Sequence, residues 1–206
     1  MRKLDGFFPL YWDENAGQIW MEIARFDTEV LHVTGNATGL GSNDIGIDRG
    51  ALSGSEIVSF ERVGPKILMV QPNYRFRSSS ANPAEVRAVR DAFARSVLWG
   101  FEAAAQTGSR VLVPLTDFLV RDATHLSQQL RPGSYRLDTS RSAIYMPMMQ
   151  NFPKNTEMEV ELTFALQPGV AGTGGGGGFG GPPSVGAGGR FFEGVGAVAA
   201  SDEAAS

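Results

Sequence analysis

The most regular pattern in this sequence is Glu157-Met158-Glu159-Val160-Glu161-Leu162-Thr163-Phe164-Ala165-Leu166. Apolar side chains alternate with Glu or Thr along most of it, and a period of two places the two kinds on opposite faces of a β-strand. The stretch therefore predicts a strand that covers a core with one face and meets water with the other.

The body of the chain continues the strand pattern. Turn residues at 13–17 and at Val63-Gly64-Pro65 separate two pairs of apolar runs, which predicts two hairpins. The remaining runs have the length and the β-branched and aromatic content that are typical of strands. Strands are accordingly predicted over residues 7–12, 18–26, 29–34, 56–62, 66–71, 108–113 and 157–166.

Two segments carry a helical pattern instead. Asn82 is a predicted N-cap, Pro83 takes the first helical position, and Gly100 is the predicted end of the first helix. Val86, Val89, Phe93 and Val97 recur at helical spacing and give it a predicted amphipathic face. A second helix is predicted over 117–130, with a buried face formed by Leu119, Ala123, Leu126 and Leu130. The sequence thus predicts an α+β fold, mainly an antiparallel β-sheet with two amphipathic helices.

Glycine divides the chain unevenly. Residues 167–206 hold 14 of the 26 glycines, most of them in one run with two prolines. Such a run buries too little side chain to offset the entropy of ordering it, so 167–189 is predicted to be a flexible loop or linker between a domain at 1–166 and a further, truncated element at 190–206. An alternative pairs residues 190–198 with residues 157–166 as two strands of one sheet.

Composition excludes several kinds of site. The chain has no cysteine, so thiolate metal sites, disulfides and thiol nucleophiles are absent. A net charge of −4 argues against a broad nucleic-acid-binding surface. His32 and His125 have no partner at a metal-ligand spacing such as His-Glu-x-x-His, so both are interpreted as solvated or core-satisfied histidines. We therefore predict no catalytic residue, no metal site and no cofactor on this chain.

A loop rich in Gly, Asn and Asp at 38–50 is the candidate interaction segment. Its acids do not follow the spacing of an EF-hand loop, and no Gly-Lys-Ser/Thr follows as in a phosphate loop. The favoured interpretation is a structured loop held by turns of Asn and Asp side chains. If this loop contacts a partner, the residues predicted to do so are Asn43, Asp44, Asp48 and Arg49.

Several motifs together resemble one protein family. They are DGFFPLYWD (5–13), GLGSNDIGIDRG (39–50), FERVGPK (60–66), SVLWGF (96–101), GSYRLD (133–138), SRS (140–142) and NFPKNTE (151–157). They resemble the N-terminal domain of unknown function of bacterial zinc-dependent metalloproteases. The resemblance covers about residues 4–166 and resumes near 189–206.

The resemblance implies a partner rather than an active site. In that family a His-Glu-x-x-His helix in a later domain supplies zinc ligands and general base, and none of that motif occurs here, so zinc is expected only in the missing catalytic domain. It also implies an extracytoplasmic location, periplasmic or secreted. The chain has no signal peptide, and together with its abrupt end this predicts a fragment of a longer protein.

Two functions remain open at this point. The first is a non-catalytic N-terminal module of a zinc-dependent metallopeptidase, which packs on or shields the catalytic domain of the same polypeptide. The alternative is a free-standing β-rich module that binds a peptide or a glycan through Tyr74, Phe76 and Trp99. Neither predicts a nucleic-acid partner or a membrane span.

Overall fold

The computed structural model of the chain describes residues 1–39, 48–130, 133–167 and 187–198. They form two antiparallel sheets whose strands are numbered along the chain. The smaller sheet has five strands in the spatial order β1 (Arg2–Leu4), β2 (Leu10–Asp13), β3 (Gln18–Ile23), β9 (Arg110–Pro114) and β8 (Ala105–Thr107).

The larger sheet has nine strands. Seven of them follow in the spatial order β10 (Tyr135–Leu137), β13 (Asn155–Leu166), β14 (Ala187–Ala197), β4 (Val30–Asn36), β5 (Leu52–Val63), β6 (Lys66–Gln71) and β7 (Ser96–Glu102). Two short strands, β11 (Ala143–Ile144) and β12 (Gln150–Asn151), pair with β13 beside β10. The prediction of a mainly antiparallel sheet is confirmed.

Both predicted hairpins are present. Asp13 Oδ1 accepts hydrogen bonds from the backbone N–H groups of Asn15 and Ala16, and Gly17 closes this turn with a φ of +62°. Strand β3 then pairs with β2 and buries Ile19, Met21 and Ile23, as its alternation predicts. In the second hairpin β5 and β6 pair up to Val63 and Lys66, and Gly64 at φ +61° makes the two-residue turn possible.

The alternative pairing of the C-terminal stretch is also confirmed. Strand β14 pairs with β13 over ten residues, from Asn155 opposite Gly196 to Phe164 opposite Ala187. Its other edge pairs with β4. Residues 187–197 therefore belong to the middle of the larger sheet, so the last three residues of the loop or linker predicted at 167–189 are in a strand. Residues 168–186 of that predicted loop lie outside the described residues.

The two predicted helices differ from expectation. Helix α1 (Pro83–Ala92) begins at the predicted cap, but it ends at Ala92, and residues 96–102 form strand β7. Pairing of β7 with β6 satisfies the backbone there and outweighs the helical spacing of Val97. None of the α1 residues is buried, so the amphipathic face of this helix does not pack into the core.

The second predicted helix is reduced to α2 (Thr116–Leu119), with turns and a short 3₁₀ helix (Leu126–Gln128) after it. Asp122 accepts hydrogen bonds from the backbone N–H groups of Leu126 and Ser127, which competes with a continuous helix. Leu119, Leu126 and Leu130 are nevertheless buried. The prediction of a helix over 117–130 is wrong, but three of its four core residues are buried.

One continuous core joins the two sheets. Met21 and Val113 of the smaller sheet belong to the same buried cluster as Phe60 and Phe164 of the larger one. Phe8 and Phe60 meet edge to face with their ring centroids 5.5 Å apart. Two shorter 3₁₀ helices (Thr139–Arg141 and Met146–Met148) accompany β13 along the larger sheet. None of the described helices is long and apolar enough to cross a membrane.

A polar clamp fastens the N-terminal segment to the larger sheet. The Asn151 side chain donates to the carbonyls of Leu4 and Phe8, and it accepts from Thr156 Oγ1 at 2.7 Å. Thr156 Oγ1 in turn accepts from the backbone N–H of Phe8. A Cβ at Gly6 would overlap the Asn151 amide, which these bonds hold in place.

The clamp makes Gly6 intolerant of a single methyl group. We expect Gly6→Ala to lower the free energy of unfolding by about 2 kcal/mol, because the amide must leave its three partners or the backbone must move. Urea denaturation measures this. Gly100→Ala is the control, since its Cβ would meet Leu68 at an ordinary 3.6 Å. Equal stability of the two variants would contradict the prediction.

Candidate docking surface

The predicted interaction loop is described only in part. Asp48 and Arg49 are exposed, and Gly50 follows them with a φ of +80° and donates its N–H to the Asn36 carbonyl. Asn43 and Asp44 lie outside the described residues. The structure therefore places two of the four predicted residues on the surface and leaves the interaction itself a prediction.

His32 is a core histidine whose Nε2 has a hydrogen-bond partner, whereas its Nδ1 has none. It is buried on β4, with Nε2 3.2 Å from Glu193 Oε2 and Nδ1 3.4 Å from Glu56 Oε2. Arg121 Nη1 lies 2.6 Å from the other oxygen of Glu193. The two carboxylates sit at opposite ring nitrogens, so they do not converge on a common point. The interpretation as a core histidine is confirmed for His32, whereas His125 is exposed.

Among the described residues, no three His, Asp or Glu side chains are arranged to hold a metal ion. Trp99 is half-buried and packs edge to face on Phe118, with their centroids 5.5 Å apart. It serves the core, unlike Phe76, which is exposed. The described buried groups thus offer no metal site, whereas exposed aromatic surface is present near α1.

Helix α1 is stabilised by hydrogen bonds at its N-cap rather than by packing in the core. Asn82 Oδ1 accepts from the backbone N–H of Ala84 at 3.0 Å, and the Asn82 amide donates to Glu85 Oε1 at 3.4 Å. Pro83 occupies the first turn, as predicted. A helix of ten residues is marginal in water by itself, and here none of its residues is buried.

The apolar side chains around α1 remain open to solvent. Phe76 is 44% exposed and Phe93 38%, and their rings stack with centroids 4.0 Å apart and an interplanar angle of 10°. Val86 on the helix is 43% exposed and lines the same cleft as these two rings. We call Phe76, Val86 and Phe93 the docking surface.

A cleft separates the helix from the sheet. It encloses about 910 Å³, and Val86, Val89 and Phe93 line it on the helix side. Val70 of β6 and Glu61 of β5 line the opposite side, where the Arg95 guanidinium pairs with Glu61. The apolar face of α1 thus looks into an open cleft instead of a packed core.

The surroundings of the docking surface are basic. Residues 72–98 carry five arginines and two acids, a charge of +3, in a chain whose total is −4. Arg77 stacks on the Tyr74 ring at 4.4 Å, and Arg75 lies 5.7 Å from the Phe76 ring. Arg77, Arg90 and Arg95 line the cleft beside the apolar residues. Arginine next to apolar surface is typical of protein interfaces and suits an apolar and acidic partner surface.

The comparisons with known proteins give one match. A family model described as a domain of unknown function (DUF5117) matches residues 50–177, which is more than half of the chain. The chain belongs to this family. The DUF5117 match includes α1 and all three residues of the docking surface. No curated protein and no solved structure matches the chain.

The sequence predicted the apolar face of α1 but not that this face would remain exposed. The same 3.6-residue spacing serves a helix that packs inside its own domain and one that packs on another. The available signal was the density of arginine on both sides of that face, at 75, 77, 87, 90 and 95. Arginine at this density is unusual around a buried helix and common at an interface.

Proposed function

We propose that this DUF5117 chain is a non-catalytic module of a zinc-dependent metallopeptidase and packs on the catalytic domain of the same polypeptide. The observation that carries the proposal is helix α1, which presents its apolar face without burying any residue. The motif resemblance supplies the identity of the partner. In this proposal zinc and its ligands belong to the partner domain, and the protein acts outside the cytoplasm.

The energetics favour a partner over solvent. Val86, Phe76 and Phe93 each leave more than a third of their side chains in water. Covering such apolar area stabilises an association by roughly 25 cal/mol for each Å² removed from water, before the costs of association. The arginines around the surface add selectivity for an acidic rim on the partner. Packing on a neighbouring domain thus explains both the exposed apolar face and its charge.

The test requires the partner as a separate polypeptide. The full open reading frame is sequenced, the domain with the His-Glu-x-x-His motif is produced, and its binding to this chain is measured by calorimetry. We expect a complex, and we expect chelation of zinc to abolish proteolysis by the partner while this chain alone cleaves nothing. An open reading frame without that motif would overturn the proposal.

A single substitution locates the contact. Val86→Asp puts a charge into the center of the docking surface, and we expect it to weaken binding at least about tenfold. Since Val86 is exposed, its effect on the free energy of unfolding is expected to stay within about 0.5 kcal/mol. Leu52→Asp is the matched control, at an exposed leucine on β5 outside this surface. If both variants bind like the unmodified chain, α1 is not the contact.

A further inference from the structure

A second surface feature lies on the larger sheet, away from α1. A groove of about 480 Å³ runs along β14 on the face of the sheet that points away from the core. Gly194 and Gly196 take alternate positions on that face, and a Cβ built on Gly194 meets nothing within 4 Å. Because these two glycines have no side chains, the backbone of the central strand β14 forms the floor of the groove.

The two walls differ in chemistry. In the strand ladder Gly194 lies between Val33 of β4 and Glu157 of β13, so the cross-section has a valine on one side and a carboxylate on the other. Leu31 extends the apolar wall and is 37% exposed. The walls stand two strand spacings apart, about 10 Å, which accommodates one extended chain.

The acidic wall is continued by Glu159. It lines the groove although it is only 6% exposed, and its Oε1 lies 3.0 Å from Arg190 Nη1. Burial raises the pKa of Glu159, and the Arg190 guanidinium acts against that rise. Arg190 is itself held on the Tyr145 ring at 4.6 Å. None of the described residues that line the groove is basic.

An aromatic ring closes one end of the groove. A Cβ built on Gly35 would meet the Phe192 ring at 2.7 Å, so that ring lies directly over the glycine of the neighbouring strand. Met148, which is 46% exposed, borders the groove from the 3₁₀ helix beside β13. Apolar surface therefore covers one wall and the end, while negative charge is confined to the other wall.

We propose that this groove binds an extended peptide segment of another protein in which apolar and basic residues alternate. An extended chain projects successive side chains to opposite sides, so it presents one row to each wall. Apolar residues would contact Leu31 and Val33, and lysine or arginine would pair with the exposed Glu157, since Arg190 already neutralises Glu159. This inference does not depend on the function proposed above, because the groove and the docking surface share no residue.

Fluorescence anisotropy with labelled octapeptides tests the groove. The probes are (Leu-Lys)₄, (Leu-Glu)₄ and (Ser-Lys)₄, titrated with the folded chain. We expect saturable micromolar binding of (Leu-Lys)₄, and binding of each of the other two that is at least about tenfold weaker, since each lacks one wall's complement. No binding of (Leu-Lys)₄ at millimolar protein, or equal binding of (Ser-Lys)₄, would overturn the proposal.

Two variants place the peptide in the groove. Gly194→Val fills the floor with a residue that favours strands, and we expect it to weaken (Leu-Lys)₄ binding at least about tenfold. Gly100→Val, on β7, is the matched control and is expected to bind normally. The Glu157→Gln variant is expected to lose the preference for lysine over glutamate. Unchanged affinity in both groove variants would show that the peptide binds elsewhere and would refute the assignment.

Discussion

Replacing Phe60 by alanine is expected to lower the free energy of unfolding by about 4 kcal/mol. Phe60 is 1% exposed and stands where the two sheets meet. Its ring contacts Phe8 edge to face and lies 6.4 Å from the Phe101 ring. Truncation removes the transfer free energy of the ring and leaves a cavity that both sheets border.

The cavity cannot close cheaply. Phe60 pairs with Met69 of β6, and its carbonyl accepts a hydrogen bond from the Asp27 backbone N–H, so the backbone is held in place and does not move inward easily to fill the space. Phe152→Ala is the matched control, because Phe152 is 41% exposed and should cost less than about 1 kcal/mol. Chemical denaturation of both variants decides the matter, and similar losses would contradict a core role for Phe60.

Replacing Arg121 by alanine is expected to lower the free energy of unfolding by about 3 kcal/mol. Glu193 is 4% exposed, and Arg121 is its cationic partner at 2.6 Å. Removing one member of a buried ion pair leaves the other charge buried and uncompensated, which costs more than the pair was worth. The guanidinium also lies 3.8 Å from the Phe118 ring and donates to the Phe118 carbonyl, so those contacts are lost as well.

A second substitution separates these contributions. If the uncompensated Glu193 carboxylate causes most of the loss, then adding Glu193→Gln to Arg121→Ala should recover at least about 1 kcal/mol. Arg110→Ala is the control, because Arg110 is half-exposed where it meets Glu22 and exposed pairs contribute about 0–1 kcal/mol. A loss at Arg121 no larger than at Arg110, in urea denaturation, would contradict the prediction.

Most of the strands were predictable from sequence because alternating side chains or turn residues mark them locally. The alternation in β3 and β13 places buried side chains directly, and the turn at Gly64 fixes the pairing of β5 with β6. These are local signals, and the structure agrees with them within a few residues at each end. The pairing of β14 with β13 was one of two interpretations that the sequence left open, and the structure decides between them.

The helices and the candidate surfaces depend on distant parts of the chain. Val97 fits a helical face, yet the free edge of β6 draws residues 96–102 into a strand. Glu159 was assigned to the wet face by its alternation, but Arg190 and the segment around Tyr145 cover it. The groove exists because β14 lies between β4 and β13, which no local pattern specifies.

The central position of β14 has a consequence for how the protein is made. Its partner β4 begins at Val30, so the closing contacts of the larger sheet span more than 150 residues of chain. Contacts so distant in sequence slow folding, because loop-closure entropy is lost before the contacts form. During synthesis the edges of β4 and β13 that pair with β14 remain unpaired until residue 197 has left the ribosome. Nascent chains are therefore most exposed to edge-to-edge aggregation in this interval, which is when a chaperone would be most useful to them.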